Sequence, residues 1–141
     1  MNRILQRWLR GGEEPGARRE RWAADWLRRE RGFKVVARNW RNPRDRREEI
    51  DLVCRDGKVL VFVEVKTRAA HALVPGYHAV DARKRRVLRS VCRAYLMLLR
   101  KRPRSLRFDV VELALPEPGS EAPPEIRHFE NVPLFPKSFH P

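Results

Sequence analysis

The sequence predicts an α/β fold in which a mixed sheet is flanked by helices. Two segments with helical periodicity enclose a group of short apolar runs, and another apolar run follows the second helix. The predicted order is therefore helix, three strands, helix and strand, with a candidate edge strand near the end. At 141 residues the chain has the size of one domain, so we expect one core and one active surface.

The first predicted helix covers Gly16 to Arg31. Its apolar side chains recur at helical spacing, and Gly32 follows at the position of a helix C-cap. Glu20 lies on the same side of this helix as the apolar residues, so we expect its carboxylate to face inward. A capping or surface role is the alternative for Glu20. Residues 1–15 end in helix breakers and are predicted to form a basic flexible leader.

Three strands are predicted between the helices. Alternation in the second strand places Ile50 and Leu52 on one face of the sheet and the acidic residues on the other. The third strand is apolar almost throughout, which is typical of a central strand buried on both faces. A tight turn at residues 55–58 predicts that these two strands form a hairpin. The predicted strands are Phe33–Trp40, Glu48–Cys54 and Val59–Val65.

The second helix is predicted to run from Asp81, its N-cap, to about Arg102. Residues Thr67–Val80 precede it and contain Pro75 and Gly76. They are predicted to form a loop that can change shape when a substrate arrives.

The C-terminal part of the chain begins with an apolar strand predicted over Phe108–Leu115. Residues 116–124 are rich in proline and are predicted to be a linker. Ile126–Val132 is a candidate edge strand before a disordered tail. The folded domain is thus expected to span residues 16–115, with residues 116–141 outside it.

The charge of the chain favours a polyanionic partner. There are 32 Lys and Arg residues against 18 Asp and Glu residues, a formal net charge of +14. Such an excess favours nucleic acid, because cationic side chains neutralise phosphates and release counterions. The alternative is that arginines simply cover solvated faces of the fold.

The basic residues expected to bind nucleic acid lie mostly on the second helix. They recur along its polar face without acidic partners one turn away, so they repel one another unless a polyanion compensates them. The candidate nucleic-acid-binding residues are Arg68, Arg83, Lys84, Arg86, Arg89 and Arg93.

Several classes of protein are disfavoured by the sequence. It has no run of about 18 apolar residues, so no segment is expected to span a membrane. The apolar stretch among its first ten residues is interrupted by basic residues and does not fit a signal peptide, so a cytoplasmic location is expected. Cys54 and Cys92 are solitary and lack metal-ligand spacing, which disfavours a zinc site or a disulfide framework. Both are interpreted as core thiols.

Acidic residues in otherwise apolar strands are the main chemical signal. A carboxylate withdrawn from water is retained when it is paired, hydrogen-bonded or bound to metal. Asp51 and Glu64 lie on strands joined by the tight turn, so both can reach one point on the sheet. Two carboxylates there suit a hard cation such as Mg²⁺ or Mn²⁺, and Lys66 beside them can orient or deprotonate an attacking water.

Less specific interpretations of the same residues stay open. Glu64 and Lys66 can form an ion pair at the sheet rim, because such combinations occur by chance in many chains. Glu49 shares a face with Asp51, yet it can also serve only to offset neighbouring arginines.

Three stretches of the sequence closely resemble the YraN-like family of uncharacterised bacterial proteins. The resemblance extends to Glu20 and Ala23 in the first helix, to Ala79, Val80 and Lys84, and to Phe108-Asp109-Val110-Val111, so it covers most of residues 16–111. The three stretches are Arg38-Asn39-Trp40-Arg41, Glu49-Ile50-Asp51-Leu52-Val53 and Val61-Phe62-Val63-Glu64-Val65-Lys66-Thr67-Arg68.

That family looks like a branch of the PD-(D/E)xK nuclease superfamily, which includes restriction enzymes and archaeal Holliday-junction resolvases. The resemblance implies a restriction-endonuclease-like αβββαβ core. It implies Asp51 and Glu64 as metal ligands, Lys66 as the catalytic lysine and Glu20 as the helix carboxylate of resolvase-like members. Glu49 matches the family's own motif and completes the expected catalytic set.

The sequence departs from the family at two positions near this site. Arg19 and Glu48 stand where the family usually has glycine. A long side chain in place of glycine narrows the approach of a backbone or ligand, and Glu48 adds negative charge beside Glu49.

Two function hypotheses follow from these observations. The first is a metal-dependent endonuclease, or a nuclease-like protein, that acts on structured or branched DNA, with DNA favoured over RNA. The second is a non-catalytic nucleic-acid-binding protein in DNA repair or RNA metabolism. A third, less favoured hypothesis is an interaction protein that binds partners through Trp22, Trp26 and Trp40. The sequence leaves open whether two copies form a homodimer.

Overall fold

The computed structural model describes residues 15–69, 81–117, 119–122 and 124–137. Within these residues, helices α1 (Pro15–Arg31) and α2 (Ala82–Met97) flank a five-stranded sheet. The predicted leader up to residue 14 and residues 70–80 of the predicted loop lie outside the described residues. The strands are β1 (Lys34–Asn42), β2 (Asp45–Asp56), β3 (Val59–Ala69), β4 (Ser105–Leu115) and β5 (Glu125–Phe129).

The strands lie in the sheet in the order in which they occur in the chain. Strands β3 and β4 are parallel, and the other neighbouring pairs are antiparallel. The parallel pair is joined through α2, because parallel neighbours need a crossover connection. The predicted α/β class and the restriction-endonuclease-like αβββαβ order are therefore confirmed, with β5 added at the edge.

The sheet has an apolar layer on each face. On one face the buried residues of α2 pack against Phe62 and Phe108. On the other face those of α1 pack against Val61 and Val63. The central position of β3, with side chains buried on both faces, confirms the prediction for this strand.

The alternation of β2 is interrupted beside Asp51. Ile50 and Val53 both pack on the α2 face, whereas Leu52 packs on the α1 face. The predicted placement of Ile50 and Leu52 on one face is therefore wrong. In the neighbouring strand, Asn39 has a φ of 49°, a left-handed conformation that asparagine tolerates better than most residues. This local twist is not visible in a simple period-two pattern.

Several element boundaries also differ from the predictions. Helix α2 ends at Met97 and not near Arg102, because the following basic run leads into Pro103 and Leu98 already caps the last turn. Strand β3 continues to Ala69, since its pairing with β4 extends over the whole length of both strands. Residues 67–69 of the predicted loop are thus strand.

The predicted tail contributes to the core. Leu134 is 5% exposed and belongs to the apolar layer under α2. The Arg89 guanidinium donates to the Leu134 carbonyl at 3.2 Å. Residues 125–129 pair with β4 as the edge strand β5. The segment after residue 124 therefore packs on the domain that residues 16–115 were expected to form alone.

Two further predictions concern cysteine and the membrane. Cys54 and Cys92 are both buried and free, which confirms their interpretation as core thiols. In the described residues, neither helix combines the length and the apolar content that crossing a membrane requires.

Candidate metal centre

The candidate site lies where β2 and β3 separate. Their ladder begins at the hairpin turn and ends at the pair Leu52 and Val63. The next free backbone donor on β3, the Val65 N–H, is satisfied by the Asp51 side chain at 2.7 Å from Oδ2. This bond holds the Asp51 carboxylate in the gap between the two strands.

A pocket of about 300 Å³ opens at this gap. Glu20 enters it from α1, and Asp51, Glu64 and Lys66 enter it from the sheet. Four of the five residues predicted to carry the chemistry therefore line one cavity. The whole lining consists of Arg19, Glu20, Asp51, Glu64, Val65, Lys66 and Thr67.

The fifth predicted residue, Glu49, belongs to a compact carboxylate group beside the pocket. One carboxylate oxygen from each of Glu20, Glu49 and Asp51 lies within 4.8 Å of the others. Glu49 also forms an ion pair with Arg41 at 3.4 Å. The structure thus groups Glu20 and Glu49 with Asp51, in addition to the Glu64 that lines the same pocket.

Glu64 is directed towards two lysines. Its Oε1 lies 3.5 Å from the Lys66 ammonium on the same strand and 3.5 Å from the Lys84 ammonium on α2. The Glu64 side chain is only 6% exposed, so both ammonium groups approach a carboxylate that is largely removed from water. The contact with Lys84 was missed by sequence reasoning, which assigned Lys84 to phosphate binding. Its position in the first turn of α2, the helix between the parallel strands β3 and β4, was the available signal.

Electrostatic repulsion and burial both act on the acidic group. Burial raises the pKa of Glu20 to about 7, and the charges of Glu49 and Glu64 add to this effect. Burial also raises the pKa of Asp51 well above its usual range, and the neighbouring Glu64 charge adds to it. Glu20 and Asp51 share a side-chain hydrogen bond. One proton between the two carboxyl groups thus offsets part of the repulsion.

The carboxylate oxygens fit a hard divalent cation. Glu20 Oε2 and Glu64 Oε2 are buried and have no hydrogen-bond partner among the described residues. A buried carboxylate oxygen without a partner is unfavourable, and cation coordination is one way to satisfy it. Mg²⁺ and Mn²⁺ prefer oxygen ligands, and this pocket offers several from different elements. The residues present therefore fit the predicted metal.

The two departures from the family pattern occupy different surroundings. Arg19 lines the pocket and donates to the Thr67 hydroxyl at 2.9 Å. Glu48 is directed to α2 and accepts from the Ser90 hydroxyl at 3.0 Å. Arg19 thus belongs to the pocket lining, whereas Glu48 lies on the other face of β2 from Glu49.

The predicted nucleic-acid-binding residues are not equivalent in the structure. The Arg68 side chain is 10% exposed and is paired with the buried Glu112, so the folded chain does not present it on the surface. Arg89 is partly buried against the C-terminal segment. Arg83, Arg86 and Arg93 are exposed on α2.

A restriction-endonuclease-like core, with an acidic pocket at diverging strands, is the class that this fold defines. Residues 19–113 match the model of the uncharacterised protein family UPF0102, and the chain belongs to this family. The resemblance to the YraN-like family is thereby confirmed. The chain is 42% identical over 113 residues to a UPF0102 protein of Symbiobacterium thermophilum, covering 80% of this chain and 90% of the relative. It is 40% identical over 124 residues to one of Beutenbergia cavernae, covering 88% and 99%.

Proposed function

We propose that this protein is a metal-dependent endonuclease-like hydrolase that cleaves phosphodiester bonds in structured or branched DNA. The observation that carries the proposal is the convergence of Glu20, Asp51, Glu64 and Lys66 on one pocket. Two of these carboxylates have buried oxygens without a hydrogen-bond partner among the described residues. Buried carboxylate oxygens usually have a hydrogen-bond partner, so these two favour a ligand that the pocket can take up.

Asp51 and Glu64 would hold Mg²⁺ or Mn²⁺, with Glu20 and Glu49 as neighbouring carboxylates. When bound, such a cation polarises a phosphate and stabilises the negative charge that develops on it. Asp51 is suited to this role because the Val65 N–H fixes one of its oxygens at the pocket. Glu64 contributes a largely buried carboxylate from the neighbouring strand.

Lys66 is the residue best placed to act on the attacking water. Its side chain is 28% exposed and its ammonium lies 3.5 Å from Glu64 Oε1, so Lys66 borders the pocket and remains accessible from solvent. An ammonium there can orient a water and stabilise the hydroxide character that this water gains as it attacks phosphorus. Arg19 at the rim, anchored on Thr67, adds a cation that can contact a neighbouring phosphate.

The experiment that tests the proposal is a cleavage panel of labelled linear, nicked, flapped and four-way DNA substrates, with Mn²⁺ or with a chelator. We expect metal-dependent cleavage by the wild type. We expect Lys66→Ala and Glu64→Ala to lower it by about a thousand-fold or more, because the reaction loses its charge stabilisation. Lys58→Ala, at an exposed turn far from the pocket, is the matched control and should cleave normally.

Two results would contradict the proposal. One is absence of cleavage by the wild type on every substrate with Mn²⁺ or Mg²⁺ present. The other is normal cleavage by Lys66→Ala. Salt-sensitive binding without any cleavage would assign the protein to the second hypothesis, a non-catalytic nucleic-acid-binding protein.

A further inference from the structure

A polar contact ties the β1–β2 hairpin to α2. One oxygen of Glu48, Oε1, accepts from the Asn42 side-chain amide at 2.8 Å and from the Ser90 hydroxyl at 3.0 Å. Asn42 is the last residue of β1, Glu48 lies on β2 and Ser90 lies in the middle of α2. The three side chains therefore set the position of the hairpin relative to the helix.

One hairpin arginine lies beside this contact in the chain. Arg46 is two residues before Glu48 on β2 and is exposed. Glu48 bonds to α2, and Ile50, two residues further on, packs in the apolar layer under α2. Arg47, between Arg46 and Glu48, is paired with Asp45. Arg46 therefore lies close to the point at which the hairpin is tied to the helix.

A stripe of arginines passes the same contact on α2. Arg86 lies four residues before Ser90, and Arg93 lies three residues after it, so both are its neighbours on the helix surface. Arg83 continues the stripe one turn earlier, and all three are exposed. Arg83 and Arg86 lie one turn apart, and like charges at this spacing are unfavourable on a helix unless a polyanion approaches them. We define the hairpin–helix surface as Arg46, Arg83, Arg86 and Arg93 around the Glu48–Ser90 bond.

This surface lies at the pocket end of the sheet. Lys84, next to Arg83 on α2, reaches Glu64 in the pocket. Glu49, next to Glu48 on β2, belongs to the carboxylate group of Glu20 and Asp51. The same two elements therefore carry both the arginines and the walls of the acidic site.

We propose that the hairpin–helix surface binds the phosphate backbone of duplex DNA and thereby delivers the neighbouring phosphates to the acidic pocket. The inference rests on the proposed function, and it adds Arg46, a hairpin residue, to the helix residues. Three guanidinium groups on α2 and one on the hairpin, on two elements held together by Glu48, form a broad cationic surface, which suits a duplex. Guanidinium groups bind phosphates bidentately and without regard to base sequence.

The test compares two double variants that each remove two positive charges. Arg46→Gln with Arg86→Gln changes the hairpin–helix surface. Arg29→Gln with Lys58→Gln changes exposed residues at the opposite end of the sheet, near the β2–β3 turn. Binding of the full chain to a labelled duplex of about 20 base pairs is measured by fluorescence anisotropy over a series of salt concentrations. All proteins carry Lys66→Ala and are kept in chelator, so cleavage does not enter the measurement. The protein with Lys66→Ala as its only change is the reference protein.

We expect the hairpin–helix variant to bind at least about ten-fold more weakly at low salt, with a slope of log K against log salt that is smaller by about 2. The control variant should keep the reference protein's affinity and slope to within about two-fold. Melting curves from circular dichroism verify that folded proteins are compared. The single change Arg83→Gln should lower the slope of log K against log salt by about 1.

Equal losses in the two double variants would overturn the inference, because only the total charge would then matter. Absence of duplex binding by the reference protein at low salt would overturn it as well. The outcome is separable from the fate of the proposed function. If the protein binds duplex DNA through this surface but never cleaves it, the inference stands and the proposed nuclease function fails. If the protein cleaves DNA but the two double variants bind equally well, the proposed function stands and the inference fails.

Discussion

Two groups of buried carboxylates in this molecule differ in how fully they are satisfied. At the β4–β5 edge, Asp109 is fully buried and accepts from the Arg107 guanidinium, the His128 ring and the Asn131 N–H. Although burial alone would raise it, these bonds hold the pKa of Asp109 below its usual range. In the pocket between β2 and β3, Glu20 is also buried, yet its pKa is raised to about 7.

The difference shows that burial by itself does not distinguish a structural acid from a candidate ligand. Asp109 has donors for both oxygens, so its charge binds β5 and the following turn to β4. Glu20 has a carboxylate neighbour in Asp51 and an oxygen without a partner among the described residues. The first arrangement stabilises the fold, and the second destabilises it until a cation or a proton enters.

The largest expected effect on stability is at the satisfied group. Asp109→Ala leaves the Arg107 guanidinium without its buried partner and removes the acceptor of His128, so the free energy of unfolding should fall by about 3–5 kcal/mol. Urea denaturation followed by circular dichroism measures it. Asp56→Ala removes the more exposed partner of the same Arg107 and should cost less than about 1 kcal/mol. Equal losses in the two variants would show that burial does not make Asp109 a stronger structural partner of Arg107 than the more exposed Asp56.

A substitution in the pocket is expected to have a smaller effect on stability, and of opposite sign. Folded Glu20 keeps its proton up to about pH 7, whereas the unfolded chain releases it near pH 4.5. The folded state therefore binds more protons between these values, and stability falls as pH rises through this window. Glu20→Gln removes this contribution. In chelator, the free energy of unfolding of this variant should therefore exceed that of the wild type at pH 7.5 by on the order of 1–2 kcal/mol, and by much less at pH 5.

Urea denaturation of both proteins at the two pH values measures this difference. Glu30→Gln, at an exposed position on the same helix, is the control and should show little pH-dependent difference from the wild type. If Glu20→Gln is less stable than the wild type at pH 7.5, the Glu20 carboxylate is a structural group like Asp109. That result would also weaken the metal proposal.

The smallest expected effect concerns Lys84. Its ammonium shares Glu64 Oε1 with Lys66, so it competes with a divalent cation for that oxygen. Lys84→Met should therefore raise the affinity for Mn²⁺ by about two- to five-fold in calorimetric titrations without DNA. Arg85→Met removes an equal charge from an exposed neighbour and should leave the affinity nearly unchanged. Weaker Mn²⁺ binding by Lys84→Met would show that the lysine supports the site.

Much of the fold could be predicted because its signals are local. The apolar run of β3 identified the central strand, and the period of α1 placed Glu20 on the buried side. Boundaries were harder to predict, since they depend on partners distant in sequence. Strand β3 extends to Ala69 because β4 pairs with it there, and Leu134 is buried because the layer under α2 has room for it.

The candidate site divides in the same way. The residue types and their positions on neighbouring strands determined that Asp51, Glu64 and Lys66 would meet at one cavity. The partners of each group depended on three-dimensional packing. The twist at Asn39 and Asp51, the approach of Lys84 to Glu64 and the pairing of Arg68 with Glu112 all join residues on separate elements.

The sequence by itself determined the class of fold, the two helical faces, the central strand and the chemical character of the pocket, because period and residue type act over a few neighbouring positions. Only the tertiary structure decided which carboxylates are satisfied and which keep a buried oxygen without a hydrogen-bond partner among the described residues. It also decided which arginines form a common surface. Those properties depend on distances of a few ångströms between distant parts of the chain, which no local pattern specifies.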